Sequence, residues 1–174
     1  PEMLRDALEP VIAVIEMVSA QIRLLDRAIE DLCEKKYPET KYLMTVTGVG
    51  AITSLAYVLT LEDSGRFKKS RDVGPYLGLV PRRDQSGARD KQLRITKAGD
   101  TYVRKLLVGS AQYIMGPFGP DTDLRCYGQQ LAARGGKNAK KRAIVAVARK
   151  LAVLLHRLWS DQSTYVPLRQ SEAA

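Results

Sequence analysis

The chain has 174 residues, 45% of them hydrophobic and 27% charged, with a formal net charge of +9 and a pI near 9.7. That length suits one domain with a core plus an appendage, and the composition is globular. The positive excess favours a polyanion partner; no apolar run approaches the ~20 residues of a membrane span, so no membrane is expected.

The first residues are acidic as well as apolar and do not read as a signal peptide. Cys33 and Cys126 lie far apart without metal-ligand neighbours, which predicts reduced thiols in a cytoplasmic protein. A start at Pro1 suits a fragment of something longer.

In chain order, the first segment is a heptad. Leu4, Leu8, Val11, Ile15, Val18, Ile22, Leu25, Ile29 and Leu32 recur at alternating spacings of four and three. This places a narrow apolar stripe on one helix, the geometry of a coiled-coil seam. Pro10 fits a helix beginning near Glu9 or a kink in a longer one. The stripe predicts a homodimer or higher oligomer through residues 4–32; packing on the chain's own domain is the alternative.

Lys36-Tyr37-Pro38 ends that helix, and Lys41 to Met44 reads as a helical turn. Thr45-Val46-Thr47-Gly48-Val49-Gly50 then leads into an apolar helix from Ala51. This is the pattern of a helix-hairpin-helix, in which Gly48, Val49 and Gly50 make the turn and exposed amides cradle a phosphate. A plain packing turn is the alternative. Glu62-Asp63-Ser64-Gly65 closes the helix. Arg66-Phe67-Lys68-Lys69 links onward, and Ser70 caps a short helix broken by Gly74-Pro75.

Tyr76 to Val80 is a short apolar run that leads into a polar, glycine-punctuated loop. The loop sets Arg82, Arg83, Arg89, Lys91, Arg94 and Lys97 around one hydroxyl, Ser86, with Gly87 next to it. A hydroxyl ringed by guanidinium groups suits attack on a phosphodiester, because fixed positive donors meet the developing charge. A solvated turn is the alternative. The residues from Arg89 to Thr96 can form a short extended piece.

Asp100 caps a helix to Met115 with Val103, Leu106, Leu107 and Ser110 inward and Arg104 and Lys105 outward, towards a backbone phosphate. Gly116 to Pro120 is a loop. Asp121 and Asp123 read as N-caps of the next helix rather than as a metal pair. The last helix runs from about Lys137 or Asn138 to Trp159. Lys137, Lys140, Lys141 and Arg142 crowd its start, where positive charge opposes the macrodipole unless an anion is bound. His156, the single histidine, reads as a packing or surface residue, not a general base. Residues 161–174 read as a loose tail. The fold class is therefore mainly α: a coiled-coil arm over 1–37 and a helical domain over 38–160 with a helix-hairpin-helix-like element.

Several of these stretches are similar to the C-terminal transposase domain of the family named after insertion sequences 110, 116 and 902. They are Thr47 to Gly50, Tyr76 to Arg82, Ser86-Gly87, Ile95 to Asp100, Arg104 to Leu107, and Lys140 to Leu151. The resemblance covers most of Leu43 to Trp159. It implies a bacterial, nucleoid-associated DNA recombinase guided by a structured RNA, with Ser86 at the position of the serine nucleophile. It also implies a magnesium-binding acidic domain, of which this chain has no counterpart, so no cofactor is expected in this stretch. Arg82, Arg83 and Arg89 are read as charge stabilisers of the reaction. The other reading is a nucleic-acid-binding and dimerisation module without chemistry of its own.

Overall fold

The computed structural model describes residues 2–86 and 89–167; the side chains of Glu2, Met3, Arg5 and residues 85, 86 and 89–92 are outside that description. The described residues are mainly helical, as the periodicity predicts. A 34-residue helix, α1 (Glu2–Lys35), comes first and runs through Pro10 without stopping. A proline there removes one helical hydrogen bond but does not end the helix. Short α2 (Thr40–Met44) turns into α3 (Ala51–Leu61). Two single 3-10 turns, Ser64–Arg66 and Ser70–Asp72, lead to α4 (Val73–Tyr76). Gly74-Pro75 lies inside α4 and does not break it, because proline is tolerated in a first helical turn.

The polar stretch expected as a loop is a two-stranded antiparallel ribbon, β1 (Pro81–Ser86) and β2 (Arg89–Ile95). The helices α5 (Thr101–Met115), α6 (Asp123–Ala133) and α7 (Ala139–Ser160) complete the fold.

Helix α7 is the axis of the core. Its inward side chains Ala143, Val147, Ala148, Leu151, Ala152, Leu155 and Leu158 are buried at the 3.6-residue period. Val103, Leu107, Ala111 and Ile114 of α5 belong to the same cluster, with Tyr57, Val58 and Leu61 of α3 and Leu124 of α6. Tyr57 is fully buried, and its hydroxyl donates to the Ala152 carbonyl at 2.6 Å. Burial of this ring pushes the phenol well above its ordinary pKa.

Caps are partly where the sequence put them. Asp100 accepts from the Val103 amide at 2.7 Å. Thr122, not Asp121 or Asp123, caps α6, accepting from the Arg125 amide at 3.2 Å. Asp121 lies 3.5 Å from Arg125 Nε, and Asp123 accepts from the Tyr165 hydroxyl. That bond, and the Tyr165 amide donating to Thr45 Oγ1 at 2.9 Å, tie Tyr165 to the body; residues 168–174 of the expected tail lie outside the described residues. Burial, then the Asp123 carboxylate, hold the Tyr165 phenol well above its ordinary range.

Helix α1 touches this body only near its end, where buried Cys33 lies 3.8 Å from the Ala51 carbonyl. Along the rest of it the seam residues are exposed, from Leu8 at 46% to Leu25 at 63%. Ile12, Val14, Met17 and Leu24 are exposed too and lie off the seam, so the apolar face is wider than the heptad alone suggested. Cys33 and Cys126 are both free thiols. No helix among the described residues is long and apolar enough to cross a membrane.

Candidate nucleic-acid interface

The ribbon is rooted in a tight backbone collar. Gly78 has φ +68° and Gly99 has φ +74°; a Cβ on either would sit 2.2 Å from the Ala98 oxygen or 2.0 Å from the Tyr76 oxygen. Only glycine allows the segments before and after the ribbon to close so nearly onto each other. The Thr96 amide donates to the Val80 carbonyl at 2.9 Å, and the Lys97 amide to Gly78 at 3.1 Å. Lys97 itself holds φ 58°, a left-handed conformation that a non-glycine residue rarely takes.

Arg104 completes the collar. It does not reach outward, as its sequence position suggested; it is 9% exposed. Its Nη1 donates to the carbonyls of Leu77 at 3.1 Å, Ala98 at 2.9 Å and Asp100 at 3.4 Å, and its Nη2 to Thr101 Oγ1 at 3.1 Å. An arginine was required because only a guanidinium has enough donors for three carbonyls and a hydroxyl at once.

Beyond the collar the strands pair with each other and, among the described residues, make no extended contact with any helix. The register pairs Ser86 with Arg89, Asp84 with Lys91 and Arg83 with Gln92, with an irregularity between Pro81 and Arg83. Position 89 is thus the backbone partner of position 86, while position 83 is an odd number of residues away. Arg82, Arg83, Arg94 and Lys97 are exposed. The side chains of Ser86, Arg89 and Lys91 lie outside the described residues, as does all of Gly87.

The hairpin turn between α2 and α3 is tightly packed. Gly48 has φ +89°, and a Cβ there would meet the Tyr113 ring at 2.9 Å. Val49 is buried, so of the three predicted contacts only Gly50 is freely accessible. Helix α3 begins at Gly50 without a side-chain cap, leaving its first amides to other acceptors. Asp26 and Glu30 of α1 line the same cleft as Gly50, Ala51, Ile52 and Thr53. Carboxylates beside an uncapped helix start complement its positive end and compete with a phosphate there.

At the start of α7, Lys137, Lys140, Lys141 and Arg142 are all exposed. Asn138 holds φ 63° and supplies no side-chain cap, so nothing from that residue offsets four cations at the positive end of the helix. Lys150, two turns on, lies over the Tyr127 ring at 4.5 Å.

Three features escaped the sequence reading. Arg125 Nη1 donates to the carbonyls of Ile114 at 2.9 Å, Gly116 at 2.5 Å and Gly119 at 2.9 Å, shaping the loop after α5. His156 is buried with Nδ1 3.0 Å from Ser70 Oγ and Nε2 3.0 Å from the Ser64 carbonyl. Desolvation lowers its pKa, partly offset by the Ser64 contact and the Asp161 charge, so it is a neutral pin between α7 and both 3-10 turns. The third is the basic segment that this pin holds, from Arg66 to Arg71. Arginines and histidine at these spacings carry no sequence mark that separates a clamp from a solvated side chain.

Among the described residues no group of three or more His, Cys, Asp or Glu is placed to hold a metal ion.

Comparison with known proteins agrees with the resemblance. Residues 40–124 match the family described as Transposase IS116/IS110/IS902. The chain is 30% identical over 159 residues to a transposase for insertion sequence element IS1111A of Coxiella burnetii, covering 87% of this chain and 43% of that protein. It is 31% identical over 154 residues to a probable family 20 transposase of Pseudomonas aeruginosa, covering 88% and 44%. A pilin gene-inverting protein of Moraxella lacunata is 29% identical over 122 residues, covering 67% and 37%. The chain thus spans less than half the length of these relatives. On the matched residues and these relatives, this chain belongs to the IS116/IS110/IS902 transposase family.

Proposed function

We propose that this chain is the DNA-handling part of an insertion-sequence transposase, with Ser86 as nucleophile on a DNA phosphodiester. The observation that carries the reading is the position of residue 86. It ends β1, pairs with Arg89 and stands on a ribbon free of the helices but locked at its root. A hydroxyl there can enter a nucleic-acid groove that admits a two-stranded ribbon and excludes the helical body.

In the proposed step, Ser86 Oγ attacks phosphorus and forms a new P–O bond as the bond to one deoxyribose oxygen breaks. The serine gives up its proton, and the leaving oxygen takes one up. One phosphate ester replaces another, so the bond can be rejoined without an outside energy source. Arg89, the register partner, is assigned first to the charge that develops on phosphate, with Arg82 and Arg83 behind it. Arg104 positions the ribbon and touches no substrate. Lys91, Arg94 and Lys97 on the ribbon, and Lys137, Lys140, Lys141 and Arg142 at α7, supply backbone contacts to DNA or to a structured guide RNA. Gly50 is the weakest of the proposed contacts, because Asp26 and Glu30 share its cleft.

The exposed apolar face of α1 supports a homodimer or higher oligomer through residues 4–32. That face and the basic surfaces suffice for the second reading, a binding and assembly module without chemistry.

A nicked duplex that traps a protein–DNA adduct separates the two. It is incubated with this chain, and with a chain of the relatives' full length, as wild type and Ser86→Ala. A shifted band on a denaturing gel, lost in Ser86→Ala, is the expected result. Equal cleavage by both proteins without an adduct would remove the serine mechanism and leave the assembly module.

A further inference from the structure

The segment Arg66-Phe67-Lys68-Lys69-Ser70-Arg71 is built as a platform. Two of its side chains turn inward. Phe67 packs edge-on to Tyr76 at 5.2 Å and to His156 at 5.6 Å. Ser70 Oγ meets His156 Nδ1 at 3.0 Å. The residues between and beside them, Arg66, Lys68, Lys69 and Arg71, are exposed.

A fifth cation joins from α7. Arg149 is exposed and lies one turn pair before His156; its Cγ and Nε run over Gly74, each 3.3 Å from where a Cβ would stand. Among the described residues, Lys68, Lys69, Arg71 and Arg149 form no salt bridge; only Arg66 does, with Glu62 at 3.6 Å. The nearby carboxylates are Glu62, Asp63 and Asp72. Asp63 is occupied in accepting from the Gly65 amide at 2.8 Å. Holding five cations close together costs electrostatic energy that a bound polyanion would return.

We infer that this platform is a third contact surface for the phosphate backbone of duplex DNA, beside the serine ribbon and the start of α7. Arg149 is about 15 Å along α7 from Ala139, at 1.5 Å per residue. The inference rests on the proposed DNA-handling role and extends it by adding a grip on DNA to those of the ribbon and the start of α7.

The chemistry favours a duplex over a single strand. Single-strand sites offer open aromatic faces on which bases stack. Here Arg66 lies over the Tyr76 ring at 5.0 Å and the Phe67 ring at 5.9 Å, so both faces are covered. What remains outward is positive charge, the chemistry that positions a phosphate backbone. The His156 pin and the half-buried Phe67 hold the strip in shape before DNA arrives, so little ordering is lost on binding.

The test is the salt dependence of binding to a labelled DNA duplex, with the 174-residue chain throughout. The platform variant carries Lys68→Gln, Lys69→Gln and Arg71→Gln. A control variant loses the same charge at exposed sites elsewhere, outside the arm's apolar face: Lys35→Gln, Lys36→Gln and Lys41→Gln. A third variant, Lys68→Arg with Lys69→Arg, keeps the charge.

The platform variant is expected to flatten the plot of log affinity against log salt by roughly 2 to 3, at about 0.9 per phosphate contact. The control and the charge-keeping variant are expected to retain the wild-type slope. Thermal midpoints close to wild type in every variant tie the loss to contact and not to folding. If the midpoint falls, the charge-keeping variant decides: loss of its slope as well would overturn the inference. Equal slopes for platform and control variants would also overturn it, as would platform dependence seen only with an RNA duplex or anionic vesicles. If wild type fails to bind DNA at all, the DNA-handling role falls first, independently of the platform.

Discussion

The body around α7 and the arm α1 are both regular helical structure, but they are stable for opposite reasons. In the body Leu107, Leu151 and Leu155 are fully buried, and Arg104 satisfies three carbonyls that the ribbon root would otherwise leave open. Along α1 the large apolar side chains are about half exposed or more, and contacts to the body are confined to its last turns. A helix of this length can persist, but most helical stability in proteins comes from packing one face. The contrast teaches that the body carries its own partners, whereas the arm presents an apolar face that nothing among the described residues covers.

The sharpest way to break that contrast is at the axis. Leu151→Ala, in the middle of α7, is expected to cost about 3 kcal/mol, since large-to-small changes in a close-packed core lose transfer energy and leave a cavity. Denaturant unfolding checks this; a change below about 1 kcal/mol would mean that α7 is not the core axis. Arg104→Ala comes next, at about 2 kcal/mol, because it leaves buried carbonyls unpaired. Hydrogen exchange should then rise between residues 78 and 100 and stay unchanged in α6. Uniform loosening would deny Arg104 its positioning role.

Asp100→Ala removes one helix cap and is expected to cost about 1 kcal/mol by thermal unfolding.

His156 gives a smaller, pH-dependent effect. Its folded pKa lies below the ordinary value of 6.5, so the unfolded chain binds a proton first as the solution is acidified. The neutral pin's contribution is full above about pH 6.5 and is lost as pH falls through the lower, folded value. Melting from pH 8 down to 5 should show this fall in wild type and a flatter profile in His156→Gln. Matching profiles would mean that other groups carry the acid sensitivity.

Leu25→Ala on the arm should change unfolding of the isolated protomer by no more than about 0.5 kcal/mol. Ile15→Glu with Ile22→Glu should instead reduce the mass seen by light scattering. A protomer mass for wild type at high concentration would show that the arm's face is not covered by a second copy.

The local rules were legible where one residue type answers one need. The heptad of α1, the buried period of α7 and the Asp100 cap follow from spacing and side-chain chemistry alone. Of the two strands, the stretch from Arg89 was expected to be extended, and β1 was missed because its residues are nearly all polar, so no alternation of apolar and polar marked it. They form a ribbon because Gly78 and Gly99 let its two ends meet, a fact that depends on residues more than twenty positions apart.

Ordered motifs and basic charge by themselves determined the family, the mainly helical class and the position of the candidate serine. Tertiary structure alone decided which cations are free. Arg104 and Arg125 look as solvent-facing in the sequence as Arg71 or Arg149, yet the first two are spent on backbone carbonyls and the others are exposed. The reason is that a guanidinium's role is set by which unpaired acceptors come within about 3 Å of it, and those acceptors belong to loops brought together only by folding.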